Sequence, residues 1–401
     1  MAIENTTSTR ILVIGGVDID LEPNHRCFHV VDFLAAHYDE VVFVSTANLY
    51  GGPPVGFAQK MLQSAKNLLT DRRREFRQGN VRHVVVRKLK LPILLQNFFG
   101  DFWVFMVLPG WLKKDRFTTC LYTFPQTAFV TGLLRRRGTI RKLVYDDCDY
   151  FPAHLDAAGR LSAAALTWKE RRAATQADGV ISVSTPLAAL RREQGVKKVI
   201  VVPNGVVLDN LTGAREKEPH PPTLLYVGML SEAWGVDLML EALPLVREAI
   251  PDVRFVVVGD GDFREALEAQ TRALGLDNAV SFCGRQPHDQ LVTYIRQADV
   301  GVALYKQREF IHYASPMKIR EYMAAGLPVI TTRIGQAEEV IEESDAGILV
   351  ERTPDSIAQA AIALLNDADL RQRYANNAVQ YTEDADWNSV LEPVLEFINT
   401  V

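Results

Sequence analysis

A chain of 401 residues with 48% hydrophobic and 23% charged side chains is long enough for two domains, each with a sizeable core. Its net charge of −5 argues against a dedicated nucleic-acid binder. The widely spaced Cys27, Cys120, Cys148 and Cys283 show no metal-type pairing and read as free thiols of a reducing compartment.

Residues 1–9 are polar, and no apolar run reaches the roughly 18 residues of a membrane-spanning helix, so a cytoplasmic protein is expected. Arg10 to Gly15 reads as an apolar strand running into Gly15-Gly16. A helix from Arg26 to Ala36 and a strand from Glu40 to Ser45 follow. Further strands are predicted at Arg82 to Val86, Thr118 to Tyr122, Lys142 to Tyr145, Val180 to Val183 and Val199 to Val202. Helical stretches lie between most of them, one near Ala163 to Gln176. Alternation of this kind predicts a parallel, doubly wound sheet.

Two segments of this half stand out. Asp71 to Lys90 holds eight Lys or Arg against two acids, and the adjoining Leu91 to Trp111 carries Phe98, Phe99, Phe102, Trp103, Phe105 and Trp111. Basic residues beside aromatics suit docking on an anionic membrane face. A solvated basic helix followed by core residues, or a mobile acceptor-binding loop, fits the same composition. The strand from Lys142 ends in Asp146, Asp147 and Asp149, three acids within four residues. Asp147 and Asp149 are candidates to orient a nucleophile or to stabilise developing positive charge. An N-capping loop before the next helix is the competing reading. No matching ligand cluster elsewhere makes the three acids a metal site.

Pro203-Asn204-Gly205 is a turn signal, and the polar stretch Asp209 to Pro222 reads as a linker. A second alternating series begins after it. Strands are predicted at Leu224 to Val227, Arg254 to Val258, Val280 to Cys283, Val300 to Leu304, Val329 to Thr331 and Gly347 to Val350. Helices are predicted at Val236 to Ala249, Phe263 to Leu274, Asp289 to Gln297 and Asp355 to Asn366, with an amphipathic helix at Trp387 to Ile398. Gly228 and Gly259 end two of the strands, where the missing side chain lets backbone approach a ligand.

Residues 315–330, SPMKIREYMAAGLPVI, are the most informative stretch. Ser315 reads as a helix N-cap, Pro316 as the first helical residue and Gly326 as the stop. Such a helix start offers free N–H groups and a dipole that favour phosphate. Lys318 and Glu321, three apart, point to one side. The cation can neutralise a diphosphate, and the carboxylate can accept hydrogen bonds from sugar hydroxyls.

This stretch resembles the signature of retaining GT-B glycosyltransferases of the family 4 type, in the branch written SPxKxxEYMAxGxPVI. The resemblance implies an α/β fold of two Rossmann-like doubly wound domains facing a central cleft. It places an acceptor-side domain at 1–205, a nucleotide-sugar-binding domain at 206–380, and at 381–401 a helix crossing back to the first domain. It further implies a retaining, metal-independent, hexosyltransferase-type enzyme. Such an enzyme moves a sugar from a UDP- or GDP-sugar to an acceptor small molecule, glycan or lipid-linked sugar through an oxocarbenium-like state, with the departing phosphate as base. The nucleotide sugar is a co-substrate, and no cofactor is expected. Lys318, Asp147 and Asp149 form the expected catalytic set. The expected donor site is Gly15, Gly16, Gly228, Gly259, Arg285, Tyr313, Ala314, Ser315, Pro316, Met317, Lys318 and Glu321, with Glu321 on the ribose and Arg285 near the base. Asp18, His25, Arg26 and Asp147 are the expected acceptor contacts. Family members that build capsules or lipid-linked glycans often sit on membranes, which implies a peripheral site on the inner membrane face through 71–111.

The chain departs from the pattern at Met229 and Trp234, where the family usually carries an Arg and a Lys on the diphosphate. Each missing cation is a charge-assisted contact of roughly 1.5–3 kcal/mol. Either Lys318 and the helix amides hold the phosphate alone, or a basic residue such as Arg26 supplies the charge. A nucleotide-sugar epimerase and a non-catalytic nucleotide-sugar-binding protein of the same fold are the alternatives. A dehydrogenase is disfavoured, because Gly15-Gly16 lacks the third glycine of the dinucleotide fingerprint.

Overall fold

The structure, a computed structural model, describes residues 9–15, 25–48, 73–88, 102–152, 160–208, 211, 220–287 and 290–401. It divides into two compact units: residues 1–202 together with 391–401, and residues 203–390.

In the first unit the strands are β1 (Arg10–Ile14), β2 (Glu40–Asn48), β3 (Arg73–Gln78), β4 (Val81–Lys88), β5 (Phe117–Tyr122), β6 (Ile140–Asp147), β7 (Gly179–Ser182) and β8 (Val199–Val201). They form one sheet in the order β3-β4-β2-β1-β5-β6-β7-β8, parallel throughout except for β3 against β4. Five helices accompany it among the described residues: α1 (Arg26–Ala35), α2 (Phe102–Trp111), α3 (Ala128–Arg136), α4 (Arg160–Gln176) and α5 (Thr185–Glu193). The central strands are apolar runs without alternation, since a parallel sheet is covered on both faces. Ile11 to Ile14, Val41 to Val44 and Leu143 to Tyr145 are all buried. Full burial of one such side chain contributes roughly 1.5–3 kcal/mol.

The basic segment is neither a helix nor a loop where the structure describes it. It forms the hairpin β3–β4, turned at Gly79 with φ +58°. Asn80 pins the turn by donating to the Ala35 and Tyr38 carbonyls at 2.7 and 2.8 Å. β3 is a sheet edge, where arginines discourage pairing with another chain. Arg77 is paired with Glu40 at 2.6 Å and Arg82 with Asp115 at 2.9 Å, so part of the positive charge is balanced within the fold. Of the aromatic stretch, Trp111 packs against the core. Phe98 and Phe99, and the side chains of Phe102, Trp103 and Phe105, lie outside the described residues.

The second unit has β9 (Thr223–Val227), β10 (Arg254–Val258), β11 (Val280–Gly284), β12 (Val300–Ala303), β13 (Val329–Thr332) and β14 (Gly347–Val350). Their order is β11-β10-β9-β12-β13-β14, all parallel. The helices are α6 (Val236–Ala249), α7 (Arg264–Ala273), α8 (Leu291–Arg296), α9 (Glu309–Tyr313), α10 (Met317–Ala324), α11 (Gly335–Ser344), α12 (Pro354–Asn366) and α13 (Ala368–Tyr381). Alternate residues of β9 separate the two layers. Leu224 and Tyr226 join α6, α7 and α12, whereas Leu225 joins α8, α10 and α11. This strand order reverses direction between β9 and β12, and ligands of such sheets bind beyond the carboxyl ends at that switch point.

α14 (Trp387–Thr400) begins in the second unit and from Leu391 belongs to the first. Its start is capped by Asp386, which accepts from the Asn388 and Ser389 amides at 2.9 and 3.2 Å. Its last carbonyls accept from Lys142, at 3.3 Å for Ile398 and for Asn399, and from Lys198 at 2.5 Å for Thr400. Phe397 and Val401 lie against Gly179, where an added Cβ would come within 2.6 Å of each. Among the described residues no helix is long and apolar enough to cross a membrane.

Candidate functional site

At the carboxyl end of the second sheet three glycines join neighbouring strands. Gly228 donates to Val258 O at 2.9 Å, and Gly259 to Gly284 O at 2.9 Å. Gly228 and Gly259 have φ +147° and +146°, a region hostile to other residues. A Cβ on Gly259 would stand 1.8 Å from Gly228 O, and one on Gly261 would stand 2.1 Å from Leu230 O. The glycines are therefore required for strand ends packed backbone to backbone at the switch point. Arg285 follows Gly284 and is exposed.

α10 is set over this edge by Tyr322. Its ring fills the space above Gly301, where a Cβ would be 2.4 Å from it, and its hydroxyl accepts from the Val227 amide at 2.7 Å. The start of α10 differs by one residue from the sequence reading. Pro316 is the N-cap, with φ −74° and ψ 106°, and no side chain caps the helix. Ser315 does not serve as N-cap. It is buried, and its hydroxyl accepts from the Asn204 amide at 3.3 Å while Asn204 Nδ2 donates to its carbonyl at 3.1 Å. The peptide donors that open α10 are thereby left without a side-chain oxygen, as an anion site requires. Ala314 is extended, and Tyr313, half-buried, packs edge-on to His312 at 5.0 Å between centroids.

Lys318, in the first turn, lies among aromatic rings. Its Nζ is 4.2 Å from the Tyr226 ring centroid, 4.9 Å from Trp234 and 5.7 Å from Tyr305, and it donates to the Tyr226 hydroxyl at 3.1 Å. Burial pulls its pKa down to about 7, opposed by the charge of half-buried Glu321 one turn on. The sequence marks Trp234 only as a missing cation and Tyr226 as a strand residue, and it does not single out Tyr305. Their convergence follows from the strand order, which sets β9 beside β12.

In the first unit the candidates separate. Gly15 ends β1, and a Cβ there would meet Cys27 Sγ at 3.0 Å and Phe43 at 3.1 Å, so close packing of α1 and β2 accounts for it. Gly16 and Asp18 lie outside the described residues. His25 caps α1, its Nδ1 accepting from the Cys27 amide at 3.2 Å; burial, then the neighbouring Arg26, lowers its pKa to about 4. Arg26 is not a spare cation: it is buried, with Nε 3.1 and 3.2 Å from the two Asp146 oxygens.

Asp147 is likewise not placed to meet an acceptor. It is fully buried, and Arg191 donates to its two oxygens at 2.7 and 2.9 Å, with Ser182 at 3.3 Å. Glu170 accepts from the same guanidinium at 2.5 Å, and burial lifts its pKa to about 8. Of the three acids, Asp149 alone is half-exposed, its Oδ1 accepting from the Tyr150 amide at 2.8 Å. A separate pocket of about 340 Å³ lies at the amino ends of β12 and β13, lined by Asp299, Gly326, Pro328 and Arg371. That is the end of a doubly wound sheet away from its ligand crevice.

Comparisons with known proteins bear on both units. Residues 221–367 match the family model "Glycosyl transferases group 1", and residues 65–210 match "Glycosyltransferase Family 4". The phosphatidyl-myo-inositol mannosyltransferase of Mycobacterium leprae is 30% identical over 228 residues, 56% of this chain and 59% of that protein. Glycogen synthase of Mycobacterium tuberculosis is 30% identical over 199 residues, 49% of this chain and 47% of that protein. The chain thus spans about half the length of the curated relatives it matches. Among solved structures, sucrose-phosphate synthase of Thermosynechococcus elongatus superposes with a TM-score of 0.74 at 17% identity, covering 98% of each chain. Anabaena HepE in complex with UDP superposes with a TM-score of 0.71 at 17% identity, covering 98% of this chain and all of that one. These structures establish the fold.

Proposed function

Because the chain belongs to the GT-B glycosyltransferases of the group 1 and family 4 type, we propose that it transfers a sugar from a UDP- or GDP-sugar to an acceptor hydroxyl with retention of configuration. The observation that carries this reading is the grouping of Lys318, the uncapped start of α10 and Glu321 at the switch point of the second sheet. The diphosphate takes the peptide donors of Met317 and its neighbours together with the Lys318 ammonium. As the anomeric C–O bond breaks, these groups hold the growing charge on the leaving phosphate. Glu321 receives the ribose hydroxyls, Arg285 lies toward the base, and Ala314 and Tyr313 face the donor sugar. The departing phosphate takes the proton of the attacking hydroxyl. We assign acceptor contacts to His25 and Asp149, and withdraw Asp147 and Arg26 from them because both are buried in ion pairs. Contact with an anionic membrane face through 71–111 stays within the proposal, carried by exposed basic residues of the hairpin such as Arg74.

A thermal-shift series with UDP, GDP, ADP and NAD, followed by hydrolysis assays with the nucleotide sugars, tests the reading. Stabilisation by NAD alone overturns it. A second reading, a binding protein without turnover, draws on Met229, which stands 61% exposed where the family carries an Arg. Slow hydrolysis of any bound nucleotide sugar excludes it. Glu321→Ala is expected to weaken donor binding about tenfold or more while leaving the melting temperature near wild type. Unchanged affinity removes Glu321 from the ribose.

Lys318 also sets a pH dependence. Its depressed pKa leaves it half charged near pH 7 in the free protein, and a bound diphosphate favours the charged form. Donor affinity is therefore highest below pH 7 and falls as pH rises above it, with uptake of up to one proton on binding. Calorimetry at pH 6.5, 7.5 and 8.5 in buffers of different ionisation enthalpy reads both effects. An affinity flat across this range refutes the assignment.

A further inference from the structure

Lys318 is a half-buried cation to which no acid among the described residues provides a salt bridge. Among the described residues no carboxylate lies within ion-pair distance of its Nζ, and Glu321 acts on it only through its field. What surrounds the ammonium instead is aromatic. Tyr226 comes from β9, Trp234 from the turn after β9, and Tyr305 from the segment just past β12, and all three centroids lie within the 6 Å at which a ring face attracts a cation. The Tyr226 hydroxyl donates to the Met229 carbonyl at 2.6 Å, so its oxygen is oriented to accept from Lys318.

The rings are held in place as firmly as the lysine. Trp234 meets Tyr305 edge-on at 5.7 Å and Phe310 at 6.1 Å. The next residue, Gly235, has φ +63°, and a Cβ there would stand 2.5 Å from Leu304 O, so the turn presenting Trp234 is locked against β12. On another side Gly228 leaves room, since its Cβ would be 3.0 Å from Nζ. A carboxylate in place of these rings would neutralise the ammonium and compete with an incoming phosphate. Ring faces hold it without cancelling its charge. A lysine at 234 would repel Lys318, whereas tryptophan, the strongest ring for this purpose, attracts it.

We propose that Trp234 is a positioning residue for the donor diphosphate. With Tyr226 and Tyr305 it forms a three-ring cage that fixes the Lys318 ammonium at the switch point and keeps its charge available to a ligand. This rests on the donor-site reading above. The cage removes the rotamer freedom of a long side chain before the ligand arrives, so a single lysine can serve where the family pattern has further cations.

The test compares Trp234→Phe and Trp234→Leu with the wild type in two measurements. In the ligand-free protein, competitive acetylation followed by mass spectrometry reads the reactivity of Lys318 across pH. With ligand, calorimetry reads the affinity for UDP and for inorganic pyrophosphate. Weakening in the order Trp, Phe, Leu is expected, about threefold for Phe and about tenfold for Leu, in step with rising Lys318 reactivity. Equal behaviour of Phe and Leu, or unchanged Lys318 reactivity in both, overturns the cage. If Trp234→Leu does not fold, the Phe variant decides, since a space-filling role leaves its affinity at the wild-type value. Wild-type protein that binds neither pyrophosphate nor UDP overturns the donor-site reading and the diphosphate role, while the acetylation profiles still decide whether the rings hold the lysine.

Discussion

Asp147→Ala will cost about 3–5 kcal/mol of folding stability, read as a large drop in urea midpoint. Arg191 is fully buried and rests on Asp147 and Glu170. Removing Asp147 takes away two short charge-assisted bonds and strands most of a guanidinium charge away from water. Glu170 offsets part of the loss. Burial holds its pKa near 8, with the negative charge of Asp147 among the causes, so without Asp147 it ionises more readily beside Arg191. The cost should therefore sit near the lower end of the range at pH 9 and near the upper end at pH 6. Asp147→Ala that keeps its midpoint yet loses turnover would return Asp147 to the reaction, the role its sequence neighbourhood suggested.

Gly259→Ala is expected to remove about 3 kcal/mol or more and to abolish nucleotide binding by the second unit. Two costs combine: an alanine at φ +146°, and a Cβ placed 1.8 Å from a backbone carbonyl that has no rotamer by which to yield. Gly275→Ala is the milder reference: Gly275 has φ +65°, in the left-handed region that alanine enters at about 1 kcal/mol, and nothing lies within 4 Å of its Cβ position. Equal melting temperatures for the two variants would mean that the strand ends at 228 and 259 do not approach as described.

The doubly wound sheets were legible because their strands have little chemistry but burial. Runs such as Ile11 to Ile14 and Phe255 to Val258 announce themselves as strands, and the glycines that follow mark their carboxyl ends. β3 was hidden because an edge strand needs no apolar face; Phe76 is the single hydrophobic residue among Arg73 to Gln78. α13 was missed for a related reason, with Ala378 its single fully buried residue. The site was legible where it is local: Lys318 and Glu321 share a helix, so spacing relates them. It was illegible where partners meet across the chain. Arg191 is far from Asp147 in sequence, and Trp234, Tyr305 and Lys318 come from three separate elements. Ser315 shows the same limit, since its hydroxyl is taken by Asn204 rather than by the helix it precedes.

The return of α14 to the first unit bears on the order of assembly during translation. Residues 203–390 form a unit from one uninterrupted stretch, whereas the unit holding 1–202 lacks Phe397 and Ile398 until the ribosome has passed through all of it. The half made first is thus the half finished last, and until then the surface around Gly179 that receives Phe397 stays open to chaperones or to a neighbouring nascent chain.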